Sequence, residues 1–461
     1  MLHKFFTTMR KNLLLLVVVA LSMTVSAQNA LFMRHHKADE PTVCVINIRE
    51  MDTTLSANPA LVLQRMAQQN NHAARAAKAD HKTAHRAGFQ QVDSPGFIFT
   101  NTKNTLSLAV GGYVALRASY SFDNAVQNID MVPYNVPIET GFASRQALGM
   151  DATTSRLFMR AIMHPARLKS PVVAFFDADF RGGSEGSYTP RLRSAYVSVA
   201  GFTFGRDVTT FCDLTAAPTT IDFQGPNAYN FNFATMIRYE HAFLNNHLKA
   251  GIAAELPAVS GSYGESLSAV PQRVPDFPMY IEYLWGAHRQ SHIRASAVLR
   301  NMYLYNNARQ TTTDLFGWGV QFSGNIQVHR MLQFFMNGTY GEGITEYIQD
   351  LTGAGLDFTP NPTDPSRVQT MPMWGWQVAA QVNIAPSLFV SGGYSMVQVQ
   401  HKNGYYADNQ YHRGQYAFGN VFYSVTSRLK IAAEYLWAAR KNMDGNHNHA
   451  NRINLLVKYS F

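Results

Sequence analysis

The chain has 461 residues, a formal net charge of +9, a mean hydropathy of −0.16 and only 15% charged side chains, where roughly 25% is usual for soluble domains. Aromatic residues make up 12%, yet a bundle of membrane-spanning helices is excluded, because it needs repeated apolar runs of about 20 residues and the long run here, 13–21, stands by itself at the N-terminus. Two cysteines, Cys44 and Cys212, are too few for a disulfide-rich secreted scaffold.

Taken in chain order, residues 1–27 read as a signal peptide. Lys4, Arg10 and Lys11 precede an apolar stretch over 13–25, and Val25-Ser26-Ala27 offers a small-residue cleavage site. Residues 28–95 form a leader rich in Ala, Gln, Asn and His. Within it, 59–87 has helix character, with Asn58 as N-cap, Pro59 at the first helical position and Gly88 as terminator. Its apolar content is thin: Leu61, Leu63, Met66, then mostly alanine. That suits either a helix stabilised by pairing with copies of itself, as in a coiled coil, or a flexible periplasmic leader.

From Thr105 onward the pattern turns to period two and stays there to the C-terminus. Leu106, Leu108, Val110, Val114 and Leu116 alternate with Ser107, Ala109, Tyr113, Ala115 and Arg117. Strands are expected near 105–120, 155–164, 171–181, 191–199, 202–207, 231–241, 247–256, 277–286, 291–303, 316–328, 331–341, 374–384, 387–400, 414–425, 428–439 and 450–461. Many of these run to about ten residues, which a tilted strand needs to cross a bilayer and which exceeds the usual five or six of a soluble strand. Tight connections at 200–201, 328–330, 385–386 and 426–427 alternate with long ones at 121–154, 208–230, 257–276 and 342–373. The expected fold is therefore an all-β, sixteen-stranded antiparallel transmembrane barrel over 97–461, with both ends on the periplasmic side. The terminal Phe461 closes an alternating strand, as a barrel presents its C-terminal aromatic to the assembly machinery of a Gram-negative outer membrane.

A barrel of this size keeps a wet lumen, so its polar face is the functional face. Assigning the apolar positions to lipid turns Arg117, Arg156, Arg160, Arg181, Arg238 and Arg294 inward, and the basic stretch that includes Arg191, Arg193 and Arg206 adds to them. Such a wall focuses an anion-attracting field. Asp177 and Asp179 lie among these arginines as balancing charges. The loop 208–230, VTTFCDLTAAPTTIDFQGPNAYN, carries Pro218, Gly225 and Pro226 as turn setters beside Phe211, Ile221 and Phe223 as apolar anchors, with Asp213 and Asp222 between them. A wholly solvated loop has no use for those anchors, so it is expected to fold inward as a constriction.

The stretch GRDVTTFCDLTAAPTTIDFQGPN from Gly205 to Asn227, together with the C-terminal EYLWAARKNMDGNHNHANRINLLVKYSF, resembles the DcaP-like outer-membrane porins. The resemblance implies a trimeric sixteen-stranded porin, a periplasmic coiled coil and basic residues at a constriction that favours small anions, including dicarboxylates. The chain departs from it in the alanine-rich leader.

Other motifs carry less. Gly182-Gly183-Ser184-Glu185-Gly186 matches a nucleophile-elbow pattern, which works only on a strand-to-helix turn with His and acid partners. His447 and His449 beside Asp444, and His81 with His85, have spacings that hold metals, but histidines in loops and on helix surfaces are most often unliganded. No catalytic residue, metal, cofactor or nucleic-acid partner is expected. The reading is a passive porin for small hydrophilic solutes with a preference for anions such as small carboxylates, in contact with outer-membrane lipid. The alternatives are a barrel enzyme of lipase or protease type, which needs a converged triad, and a structural or adhesive barrel.

Overall fold

Side chains that alternate with period two give each strand one apolar and one polar face, and closing such strands into a cylinder turns the apolar face to lipid while pairing every edge. The computed structural model describes residues 43–48, 72–81 and 94–461 apart from 102, 127, 140, 142–144, 185 and 288, all in the unit Pro41–Phe461. The signal peptide, the N-cap Asn58, His85 and the first turns of the expected helix lie outside the described residues.

The strands in order are β1 (Cys44–Ile48), β2 (Phe97–Asn101), β3 (Leu106–Asp123), β4 (Ala147–Asp151), β5 (Arg156–Met163), β6 (Val172–Gly182), β7 (Thr189–Val199), β8 (Phe202–Val208), β9 (Phe233–Phe243), β10 (Leu248–Glu255) and β11 (Leu267–Ala269). They continue as β12 (Phe277–Trp285), β13 (Ser291–Asn306), β14 (Thr311–His329), β15 (Leu332–Glu342), β16 (Phe358–Pro360), β17 (Val368–Thr370), β18 (Pro372–Ala385), β19 (Leu388–Val399), β20 (Tyr411–Ser424), β21 (Leu429–Asn442) and β22 (His447–Ser460). β22 closes the cylinder on β3, from Asn451 opposite Asp123 to Ser460 opposite Tyr113. β4 and β5 share one edge of β3 end to end, and β11 and β12 share one edge of β13. Each of these pairs is a single interrupted staff, so the closed barrel has sixteen antiparallel staves, as the alternation predicts.

The phase is as expected. Leu116, Val320, Phe322, Leu455 and Val457 are exposed on the outside, while Arg117, Gln321, Ser323 and Asn454 are buried inside. Sequence reading does not find β1, β2, the small β16–β17 hairpin, or β4 and β11, which fall in the connections read as 121–154 and 257–276. β3 is longer than the part β22 covers, and β2 takes the remaining edge, Phe97 opposite Val110 to Thr100 opposite Ser107, with β1 parallel beyond it. Gly96 sits where β2 meets the end of β22. A Cβ there would lie 2.3 Å from the carbonyl carbon of Phe461, so only glycine fits.

A helix covers 72–80. Ala77 packs with Ile98 and Ala109, His81 Nε2 lies 3.0 Å from Ser107 Oγ, and Asp80 accepts from Asn104. Ser107 and Ala109 belong to the inner face, so this helix lies over the lumen side of β3 at its short-turn end.

Candidate functional site: a loop laid across a charged bore

The segment 208–230 cannot run free through the lumen, because its buried peptide groups need partners. The barrel supplies them chiefly from neutral polar side chains, with the carboxylates of Glu255 and Glu434 and the guanidinium of Arg294 beside them. Asn325 donates to Thr215 O, Gln377 to Ala216 O, Asn420 to Thr219 O and Asn337 to Ala228 O. Glu434 accepts from the amides of Ile221 at 2.9 Å and Asp222 at 2.8 Å, and Glu255 accepts from Thr209 and Thr210. Asp213 is held at 2.7 Å by both His292 Nε2 and Ser323 Oγ, and Asn230 by Asn337 and Thr339. These partners lie on β10, β13–β15, β18, β20 and β21, so the loop is fastened along one side of the barrel. Phe211, fully buried, packs with Val298, Ile344 and Tyr347 on that side. Gly225 takes φ 73°, and the turn closes with Tyr229 N donating to Pro226 O.

Opposite stands the charged wall of β3–β10. Arg117 binds Asp151 at 2.8 Å and Asp130 at 2.7 Å. Arg181 binds Asp130 at 2.5 Å. Arg156 takes Asp177 in a two-pronged pair. Arg191 and Arg193 share Asp179, at 2.6 and 2.9 Å. A bulge sets Ser194 opposite Asp177 and Leu192 opposite Ala178, and it lets the consecutive residues Arg193 and Ser194 both turn inward and bury. Arg238 binds Asp207 and Glu240, and Lys249 binds Glu240. Arg160 rests over the Phe175 ring at 5.4 Å, with no carboxylate within ion-pair distance among the described residues. Among the described residues this side thus gathers eight cations against seven carboxylates: Asp130, Asp151, Asp177, Asp179, Asp207, Glu240 and the Glu255 that holds the start of the loop.

The loop reaches that wall at Phe223, whose ring lies 5.0 Å from the Arg181 guanidinium and 5.4 Å from that of Arg193. Next to it the Asp222 carboxyl is pushed well above the usual range by burial, with Asp130 and Glu434 adding to the effect, so the loop tip adds less negative charge than its sequence suggests. Asp130 is the reverse: burial would raise it, but Arg181 and Arg117 hold it far down. Asp350, in the long loop after β15, accepts from Tyr411, from Tyr134 N and from Asn227, and burial raises its carboxyl to about 6.

The remaining expected residues lie elsewhere in this arrangement. Arg294 covers the Tyr280 ring at 3.6 Å and donates to Thr210 O and Ser296 Oγ, fixing the start of the loop. Arg206 pairs with Ala195 in the same phase as the exposed Phe202 and Phe204, so it starts from the outer face, over Phe233. Pro218 and Pro226 are buried within the loop. Residues that sequence reading leaves out are Asp130 and Asp151, which compensate the arginines, and the amide and hydroxyl set that carries the loop. Asp130 sits in a connection that reads as external, and a lumen-facing Asn or Ser reads only as wet wall.

A closed sixteen-stranded barrel with a long loop fastened inside it defines the class: this is a transmembrane β-barrel with the fold of the outer-membrane porin channels. A model of the DcaP outer membrane protein family matches residues 74–284. The crystal structure of the outer membrane channel DcaP of Acinetobacter baumannii aligns with a TM-score of 0.68 at 21% identity, over 78% of this chain and 98% of that one. OmpT, an outer membrane protein of Vibrio cholerae, gives 0.49 at 12% identity, over 81% of this chain and 100% of that one. No curated protein matches the chain. The protein is DcaP-like in sequence over 74–284 and in fold over most of its length, and its place is the outer membrane.

Proposed function

We propose that the protein is a passive diffusion channel for small hydrophilic solutes that prefers anions, small carboxylates among them. The observation that carries this reading is the asymmetry of the bore: the loop is fastened along one wall chiefly by neutral amides and hydroxyls and leaves the wall with surplus cationic charge to the passage. Arginine keeps its proton at any working pH and binds carboxylate through two parallel hydrogen bonds. Most of these arginines are already paired, which keeps capture weak enough for the solute to leave again. Arg160 is the cation best placed to act on solute directly.

The family resemblance favours a homotrimer, with 28–95 in the periplasm. Phe461 exchanges hydrogen bonds with Gly112 at the closing seam, a position suited to recognition by the assembly machinery when the seam is still open. The test is the reversal potential of the purified protein in a planar bilayer under a salt gradient. An anion-side potential and block by a small dicarboxylate are expected, and a cation-side potential refutes the preference.

A further inference from the structure

The outward face of the last three staves changes character at its long-loop end. Lower down it is apolar: Tyr423 on β20, Ile431 and Tyr435 on β21, Leu455 and Val457 on β22 are exposed. In the same phase higher up come Arg413, Lys441, His447 and His449. Arg413 is directly opposite Lys441, and Lys441 is directly opposite His447. One row below, Gln415, Ala439 and His449 are opposite one another, and Trp437 lies beneath them. These residues, with Arg440 and Asn448 behind them, line a cavity of ≈ 350 Å³.

Like charges placed directly across neighbouring strands destabilise a sheet, and among the described residues no carboxylate pairs with Arg413 or Lys441. Arg413 Nε is buried without a hydrogen-bond partner. The nearby acids are committed elsewhere. Asp123 accepts from Asn451 and lies 3.8 Å from His449 Nε2, and Asp444 accepts from Asn446. Arg440 turns inward, donating to Asn442 and to Tyr134 O.

We propose that this row is a binding site for the phosphorylated head group of an outer-leaflet glycolipid. A phosphate seated between Arg413 and Lys441 relieves their repulsion and satisfies the buried Nε, and guanidinium and ammonium are the side chains that hold phosphate oxygens. The cavity opens directly above the lipid-facing band, so the ligand's apolar part continues down past Trp437 along Tyr435 and Leu455. An indole at that level is the usual marker of the membrane interface. This continuity assigns the site to a lipid and not to a free anion.

The experiment uses the full-length protein in phosphatidylcholine nanodiscs, with retention of bisphosphorylated lipid A followed by native mass spectrometry. The wild type retains it in preference to the dephosphorylated glycolipid. R413Q/K441Q lowers apparent affinity at least about tenfold, in line with two surface cations acting on an anionic lipid, while heat-modifiability and conductance stay as in the wild type. H447Q/H449Q provides a second, milder loss should the first variant fail to fold. Undiminished retention in a folded variant overturns the proposal. Displacement of the lipid by inorganic phosphate at equal concentration overturns its lipid assignment.

Discussion

The two inner walls of the barrel follow the same alternation and do opposite work. From β13 to β20 the lumen side carries Ser323, Asn325, Asn337, Thr339, Gln377 and Asn420, all buried or nearly so, which donate to the loop: the four amides to its carbonyls, and Ser323 and Thr339 to the side chains of Asp213 and Asn230. From β3 to β10 it carries arginines and carboxylates that bind chiefly one another. Neutral amides can satisfy carbonyls without leaving a charge behind, and the two buried carboxyls that meet the loop, Glu255 and Glu434, are each matched by peptide N–H donors, whereas a wall of ion pairs pressed against the loop would bury many ions at a cost. The difference tells which wall the loop is built on and which wall a solute meets.

The sharpest way to break that division is to unfasten the loop. D213A removes the acceptor shared by His292 and Ser323, and E434A removes that of the Ile221 and Asp222 amides. Each leaves buried groups unpaired, at about 1–3 kcal/mol per group. The double variant should keep its barrel and show a larger, noisier single-channel conductance. Wild-type conductance in that variant would mean that the loop does not limit the passage.

The charged wall is divided by substituting its paired and unpaired arginines separately. R156A leaves Asp177 buried without its two-pronged partner, so about 3–5 kcal/mol of stability should go, read as a lower temperature of heat modification. R160A breaks no ion pair. It should leave that temperature unchanged and move the reversal potential toward the cation side. Equal potential shifts with equal stability in the two variants would refute the distinction between structural and solute-facing guanidiniums.

The staves were legible because period two is a local property. Trp318, Val320 and Phe322 against Gln321 and Ser323 declare a face whatever lies across the barrel. That 208–230 folds inward was likewise legible from Phe211, Ile221 and Phe223. Where it is fastened was not, because Asn325 and Gln377 are ordinary lumen residues until the loop carbonyls of Thr215 and Ala216 come to them across more than a hundred positions of chain. The arginines could be read as inward, but their neutralisation by Asp130 and Asp151 depends on a connection folding back inside, and β2 depends on the surplus length of β3.

A smaller effect comes from Asp350, which ties the loop at Asn227 to Tyr411 on the neutral side. Its folded value of about 6 is above the ordinary 3.8, so the protonated form is the one the fold favours. The stability it contributes is complete below the unfolded value and is lost as pH rises through about 6. The loop should therefore be held more tightly at pH 5 than at pH 7.5, seen as quieter open-channel current at the lower pH. D350N should remove that difference, and a pH response that survives the substitution would assign it to another group.

The smallest expected effect tests the aromatic contact through which the loop meets the charged wall. Phe223 presents its ring to Arg181 and Arg193, and a cation over a ring contributes about 0.5–1 kcal/mol where water still reaches it. F223L keeps most of the apolar bulk and loses the π-face. If the ring only fills space, F223L and the wild type should conduct alike. If it orients the two guanidiniums, F223L should weaken dicarboxylate block by a few-fold at about unchanged conductance, because the charges remain but their planes are free to turn away from the solute. F223Y, which keeps the face, should restore the block. A loss of block in F223Y equal to that in F223L would show that side-chain fit, and not the ring's pull on Arg181 and Arg193, couples the loop to the charged wall.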